Sequence, residues 1–502
     1  MIYTTIKKWA FRIVFILNTA GIIVYWALQT EINQHRGSNT QVVNSHFIKT
    51  QSSPLAITNV SVLSTDCSKM IDGMTVLIED GKILEIAKHL SLPNHYQKID
   101  GSGKYLIPGL IDTHVHLNNS KNDLLLYLTN GVTSIAEMSG NERHLRWRKE
   151  AQQGALSPHL FVATRELSST KGMIPAVRSW VGNEKIYTTV ASARQAIRQY
   201  KVQGYDAIKL SPFLNATIYR AMVREAQKQE IPVIGLNRFH TSGKAQLTHV
   251  EGIVKKTIED FGGLHDQNAK AYLRYLKQRS NMVASQLRKQ NITVSSTLWL
   301  AESFPKQKFD LENFIKTIAL EYANPGVVEG SRLVKGWLPG YNDYENLSIR
   351  NNPVKSKKSR VYWSAYVKAH QIMTKALIRN GVKMIAGTNA NTACVVPGFS
   401  LHDELESLHK AGLSNAQVLR ATTIQAAQWM QNGSTGQIEE GYIADLVLLA
   451  KNPLVDIKNT KTIQAVITKG KYLDRKNLDK MLQSVKKANR QSRKENIDAY
   501  IQ

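Results

Sequence analysis

The stretch Leu106–Leu117 reads LIPGLIDTHVHL, an apolar run ending in two histidines one residue apart. In an extended strand residues i and i+2 face the same side, so the imidazoles of His114 and His116 can share one cation, and the chemistry on offer is that of a bound metal. Other residues of ligand type follow: Lys209 in AIKL, His240 in NRFH, His249 in LTHVEG, Asn389 in GTNA, and His402 and Glu404 in SLHDELE. Taken singly, each has an ordinary structural reading. A lysine ending a strand is usually ion-paired, a lone histidine usually belongs to the packing, and charged residues opening a helix usually serve its terminus.

The elements around these residues give them a place. From Leu55 the text is β-rich, LAITNVSVLS and then MTVLIEDGKILEIA, with Asp80-Gly81 as a hairpin turn. GQIEEGYIADLVLLAKNP and TIQAVITKGKYLD near the other end have the same character. Between these flanks, apolar runs such as GVTSIAEM, HLFVATR, YDAIKLSP, IPVIGLN and VKMIAGTNA alternate with helical stretches such as ATIYRAMVREAQKQE. Such alternation predicts parallel strands with crossover helices, and the span from Pro108 to Thr423 is long enough for a (β/α)8 barrel. The last stretch, from Leu478, reads as a basic helical tail.

With 502 residues, 65 Lys and Arg against 39 Asp and Glu, and 42% hydrophobic residues, the chain is strongly basic, at +26, and carries enough apolar material for a large core. Two cysteines, Cys67 and Cys394, exclude a disulfide framework and a structural zinc finger. No RNA-binding signature, zinc-finger spacing or phosphate loop is present, which argues against nucleic acid and nucleotide partners.

The positive charge suits an anionic membrane surface instead. Lys7, Lys8 and Arg12 precede the uncharged run Ile13–Leu28, and Tyr25 and Trp26 stand where an interfacial belt falls. Its end, Ala27-Leu28-Gln29, lacks the small residues of a cleavage site, so an uncleaved anchor is expected over a cleaved signal segment. The basic flank then leaves the bulk of the chain outside the cytoplasm, on a periplasmic or other extracytoplasmic face.

On PGLIDTHVHL, DAIKLS, LTHVEGI, AGTNA, VVPGFSLHDELE, AGLSNAQVLRATTIQAA and GQIEEGYIADLVLLAKNPLVDIKNT, the region from Leu55 to Leu478 resembles the metal-dependent amidohydrolase superfamily, in particular its imidazolonepropionase-like and prolidase-like branch. The resemblance implies a TIM-type (β/α)8 barrel with a small β-sandwich built from both flanks. The domains expected are an N-terminal membrane anchor or signal segment at 1–30, a polar tether at 31–53, the first part of the sandwich at 54–107, the barrel at 108–432, the second part at 433–475 and the basic helical tail at 476–502.

For the site, the resemblance implies His114 and His116 as ligands of one cation, Lys209 as a carboxylated lysine bridging two, and His249 as a ligand of the second. The cofactor is a divalent metal, zinc first, with one or two ions. Two positions depart from the family. Strand 5 has no histidine near Leu236 or Arg238, which leaves His240 in the following loop as the candidate ligand. Strand 8 reads Gly387-Thr388-Asn389-Ala390 where relatives have an aspartate, and an amide cannot accept the proton of the attacking water. Glu137, His402 and Glu404 are the nearby alternatives, His402 also as a substrate contact.

The function expected is metal-dependent hydrolysis of an amide or cyclic amide C–N bond by a membrane-tethered protein with an incomplete metal site. The alternative is an inactive barrel serving as a binding or scaffold protein. The substrate is an unidentified small molecule, the membrane is a partner through the N-terminal helix, and a homodimer is the default assembly. The aromatic stretch Trp337–Tyr366 reads as an active-site loop or as a packed surface insertion.

Overall fold

The computed structural model describes residues 2–45, 48, 54–169, 185–211, 214–235, 247–342, 344–345 and 352–501. The two strand-rich flanks do combine. β1 (Leu55–Leu63), β2 (Met70–Glu79), β3 (Lys82–Ala87), β4 (Gln97–Asp100) and β5 (Tyr105–Pro108) precede the barrel. These strands join three late strands of the chain, β14 (Leu446–Leu449), β15 (Ile463–Thr468) and β16 (Lys471–Asp474), in one sheet of order β16-β15-β14-β5-β1-β2-β3, with β4 paired to β1. Leu446↔Pro108 through Leu449↔Tyr105 form the antiparallel seam between the two flanks. Asp80 and Gly81 both have positive φ, 48° and 78°, as the two-residue turn between β2 and β3 requires.

Eight short parallel strands form the barrel: β6 (Leu110–Val115), β7 (Val132–Gly140), β8 (His159–Thr164), β9 (Ile208–Leu210), β10 (Val233–Gly235), β11 (Leu247–His249), β12 (Thr293–Ser295) and β13 (Met384–Ile385). Ala163↔Ala207 links β8 to β9, and Val115↔Ala390 brings the end of the β13 segment back to β6. Ile111, Ala136, Met138, Phe161, Ala163, Ala207, Ile234, Leu247 and Ile385 fill its interior, which is a packed core rather than a pore. Helices such as Glu142–Gln152, Ala216–Lys228, Val250–Asp260 and Phe399–Lys410 alternate with the strands. The late strands β14, β15 and β16 complete the flank sheet. The basic tail is a docked helix, Arg475–Ser492, that buries Leu478, Met481, Val485 and Ala488.

The N-terminal helix is longer than the apolar run, Ile2–His35. Its segment Phe11–His35 has a mean hydropathy of 1.8 and is long and apolar enough to cross a membrane. Phe11, Ile16, Leu17, Ile23 and Trp26 are all exposed. Of the polar tether expected over 31–53, the described first part makes contacts with the barrel. Gly37, at φ +90°, ends the helix, and residues 31–43 lie against the barrel through hydrogen bonds such as Asn119 N to Arg36 O at 2.9 Å and Thr40 Oγ1 to Asn324 Oδ1 at 2.9 Å. Asn33 and Thr40, which read as solvated linker, bond to Asn119 and Asn324, far away in sequence.

Candidate metal centre

β6 delivers the histidine pair. Its register against β7 shifts between Leu110 and Ile111 and again between Asp112 and Val115, so strict alternation is lost just where the strand reaches its C-terminal end. Irregularities of this kind re-aim side chains beside a site. His114 is buried and His116 lies just beyond the strand, their rings edge to face with centroids 5.2 Å apart.

His249 joins them from the opposite side of the ring. It ends β11 and occupies the residue before the helix Val250–Asp260. His114 Nδ1 and His249 Nδ1 stand 3.2 Å apart. All three imidazoles are driven toward the neutral form. Burial depresses His114 well below the usual value, with repulsion from His249, His116 and Lys209 adding to it. Burial and the Lys209 charge bring both His116 and His249 to about 3. Lys209, in the middle of β9, is itself lowered by burial, against the pull of Glu166 and Glu137. The structure thus gathers His114, His116, His249 and Lys209 at one end of the barrel.

The segment after β13 supplies the fifth position. Asn389 has φ 62°, a left-handed conformation that asparagine tolerates better than most residues, and its N–H donates to the His114 carbonyl at 2.8 Å. The Asn389 amide offsets part of the depression at His116, yet its Oδ1 is buried without a partner of good hydrogen-bond geometry among the described residues. Gly387 allows the approach: a Cβ there would meet Ser295 Oγ at 2.3 Å and His114 Cβ at 2.8 Å.

The residue that fixes this seam is Asp112, which sequence reading passed over. Its carboxylate, fully buried, accepts from Thr388 N at 3.0 Å, Thr388 Oγ1 at 2.7 Å and His114 N at 3.2 Å. Burial raises its pKa to about 7, and the Thr388 and His114 donors pull it back down. An acidic residue inside an otherwise apolar strand, two positions before the first histidine, was the available signal. Glu137 is placed at the site, its Oε1 4.0 Å from His116 Nδ1, but its two oxygens are occupied by the backbone N–H groups of Leu117 and Ser139. It positions the loop and is not a free base.

The remaining candidates lie elsewhere. His402 is buried in the helix Phe399–Lys410 with Nδ1 2.9 Å from Thr460 Oγ1, and none of its contacts is a site residue. Glu404 accepts from Leu298 N at 2.9 Å and Trp299 N at 2.7 Å, satisfying donors at the start of the helix Leu298–Phe309. His240, with Leu236 and Arg238, falls outside the described residues. The aromatic stretch is packed: Tyr344, Trp363 and Tyr366 surround Phe304, while Trp337 sits in a separate core with Phe314.

Residues 105–473, well over half of the chain, match the Amidohydrolase family. The chain belongs to the amidohydrolase family. This amidohydrolase resembles the bottromycin amidohydrolase structure, with a TM-score of 0.66 and 20% identity over 90% of this chain and 96% of that one. It also resembles a Xaa-Pro dipeptidase with bound methionine in its active site, with a TM-score of 0.57 and 16% identity over 84% of this chain and 100% of that one. At such identities the likeness is one of fold, a TIM-barrel-type α/β fold. Among curated proteins, the dihydroorotase of Trichlorobacter lovleyi is 48% identical over 48 residues, 10% of this chain and 11% of that protein. The chain therefore aligns with only a small part of that relative.

Amidohydrolases typically use divalent metals, and the donors present fit one. Two nitrogens on one tetrahedral cation with bonds of about 2.0–2.1 Å stand about 3.3 Å apart, the spacing found between His114 and His249. Both rings are held neutral, the form that ligates. Among the described residues, no three His, Cys, Asp or Glu side chains converge closely enough to hold an ion unaided. Further donors must therefore come from Lys209, from Asn389 Oδ1 or from solvent.

Proposed function

We propose that this amidohydrolase hydrolyses a carbon–nitrogen bond of an amide or cyclic amide while tethered to a membrane by its N-terminal helix, with the barrel on the extracytoplasmic side. The facing nitrogens of His114 and His249 carry the reading, because their 3.2 Å separation is close to that of two nitrogens on one tetrahedral cation. His114 and His249 would hold the cation, with His116 and Lys209, carboxylated or not, beside them. Such a cation supplies Lewis acidity toward a carbonyl and makes water more acidic. The relatives whose names specify amidohydrolase, dipeptidase and dihydroorotase chemistry support a C–N bond as the target.

The residues of this chain do the rest. Asn389 Oδ1, buried and without a partner of good hydrogen-bond geometry among the described residues, is available to a cation or to a hydrogen-bond donor of the substrate, but the amide takes no proton. Asp112 holds Thr388 and hence the backbone that presents Asn389. The same Asn389 favours the second reading, a barrel that binds without hydrolysing.

Metal content by mass spectrometry on the full chain, purified without chelator and then exposed to zinc, manganese and bicarbonate, tests the proposal. Two equivalents would indicate a carboxylated Lys209, and one would indicate a mononuclear centre. None under any condition would overturn the hydrolase reading and leave a membrane-held binding barrel.

A further inference from the structure

The end of the apolar helix does not meet the barrel at an arbitrary place. It meets the loop that follows the histidine pair. Asn119, three residues after His116, donates its N–H to Arg36 O at 2.9 Å and its amide to Asn33 Oδ1 at 3.3 Å. On the far side of the segment, Arg332 N donates to Glu31 Oε2 at 2.8 Å. The contact is built for close approach. A Cβ on Gly326 would lie 2.0 Å from Gln34 O and 3.0 Å from Gly37 Cα, and one on Gly37 would lie 2.6 Å from the Asn324 side chain. Only glycine lets these backbones touch.

Chain geometry turns this contact into a distance. Leu28 is the last residue of the uncharged run, and Arg36 lies eight residues on, so the two are about 12 Å apart along the helix. Three residues of extended chain from Asn119 back to His116 add at most about 11 Å, and with the hydrogen bond between the two segments the whole path is no longer than about 30 Å. The histidine end of the barrel therefore lies within about 30 Å of the end of the span. The rim there is basic: Arg143 donates to Asn119 Oδ1, and the neighbouring charges of Arg146 and Arg165 repel it. Such a cluster suits an anionic headgroup layer.

We propose that residues 31–43 are a strap that holds the barrel mouth against the bilayer, so that the site draws its substrate from the membrane surface: an amide-bearing amphiphile with its acyl chain in the lipid. The substrate class rests on the hydrolase reading above, and the placement rests on the apolar helix being a membrane span.

The experiment separates these. The full chain is reconstituted in mixed phosphatidylcholine and phosphatidylglycerol vesicles carrying headgroup acceptors and is labelled at one introduced thiol, Glu142→Cys beside the mouth or Lys98→Cys on the flank sheet. Cys67 and Cys394 are buried and stay unlabelled. Energy transfer is expected to be several-fold stronger from position 142 than from position 98. Equal or reversed transfer overturns the strap, whatever the activity, and failure of the folded chain to float with the vesicles overturns the membrane span. In the same zinc-loaded vesicles, N-palmitoyl-alanine is expected to be cleaved at least tenfold faster than N-acetyl-alanine. Equal rates overturn the amphiphile assignment. Cleavage of neither, with transfer still favouring position 142, overturns the hydrolase reading and supports the strap.

Discussion

His114 Nδ1 and His249 Nδ1 face each other across 3.2 Å although 135 positions separate them in sequence. Two strands on different arcs of the barrel converge to make this contact. Burial and mutual repulsion keep the rings neutral, so the pair is stable as a metal-ligand pair or with a single shared proton. Replacing one ring removes a ligand and also relieves the repulsion. His249→Asn is therefore expected to lower zinc affinity by at least about 100-fold while leaving the fold intact. Equilibrium dialysis with metal analysis, alongside circular dichroism, checks this. Unchanged affinity would exclude the pair as ligands.

Asn389 stands where the resemblance to the family implies an aspartate, and its left-handed backbone, φ 62°, is equally open to aspartate. Among the described residues its buried carbonyl oxygen has no partner of good hydrogen-bond geometry, so the new carboxylate would enter a place already shaped for an acceptor. Asn389→Asp is expected to raise the rate of amide hydrolysis by about 10² to 10⁴ in the metal-loaded protein, the usual worth of a positioned general base. The measurement is turnover of a panel of N-acyl amino acids and cyclic amides. A metal-loaded variant that gains nothing would favour a barrel that binds without cleaving.

Much of this was legible in the sequence, and for physical reasons. The alternation of apolar runs with helical periods fixed a parallel barrel, and the Asp80-Gly81 turn marked the hairpin joining β2 and β3. His114 and His116 lie close together because their spacing is local. The meeting with His249 depends on tertiary closure and was reached by resemblance. His402 and Glu404 illustrate the opposite case: a histidine and an acid opening a helix look the same in text whether they face a site or, as here, Thr460 and the start of another helix. The docking of residues 31–43 was hidden because polar residues that bond to distant partners are indistinguishable from polar residues that bond to water.

Thr388 is the joint between β6 and the Asn389 turn. Its hydroxyl donates to Asp112 Oδ2 at 2.7 Å inside the core. Thr388→Val keeps the shape and leaves that buried oxygen short of a donor, at a cost of about 1–3 kcal/mol. The Asp112 pKa, already raised to about 7 by burial, would rise further with the loss of a donor that lowers it. A lower denaturant midpoint at pH 8, with part of the loss recovered at pH 6 where the carboxyl is more fully protonated, is the expected result. Equal losses at both values would mean that the hydroxyl acts only through packing.

The buried His402 gives the protein a defined acid sensitivity. Burial, helped by the nearby Lys461 charge, lowers its pKa from 6.5 to about 3. The folded chain therefore binds fewer protons than the unfolded chain between these values. The stability this group confers is fully present above about 6.5 and is lost as pH falls toward 3, by up to about 1.4 kcal/mol for each pH unit. His402→Gln retains a polar group near Thr460 Oγ1 and removes the titration. The variant is expected to be less stable than the parent at pH 7, because the amide fills the ring's space imperfectly, and to lose that disadvantage by pH 4.5. Denaturant midpoints at the two pH values measure the crossover. A stability difference that stays constant across this range would mean that His402 does not titrate differently on folding.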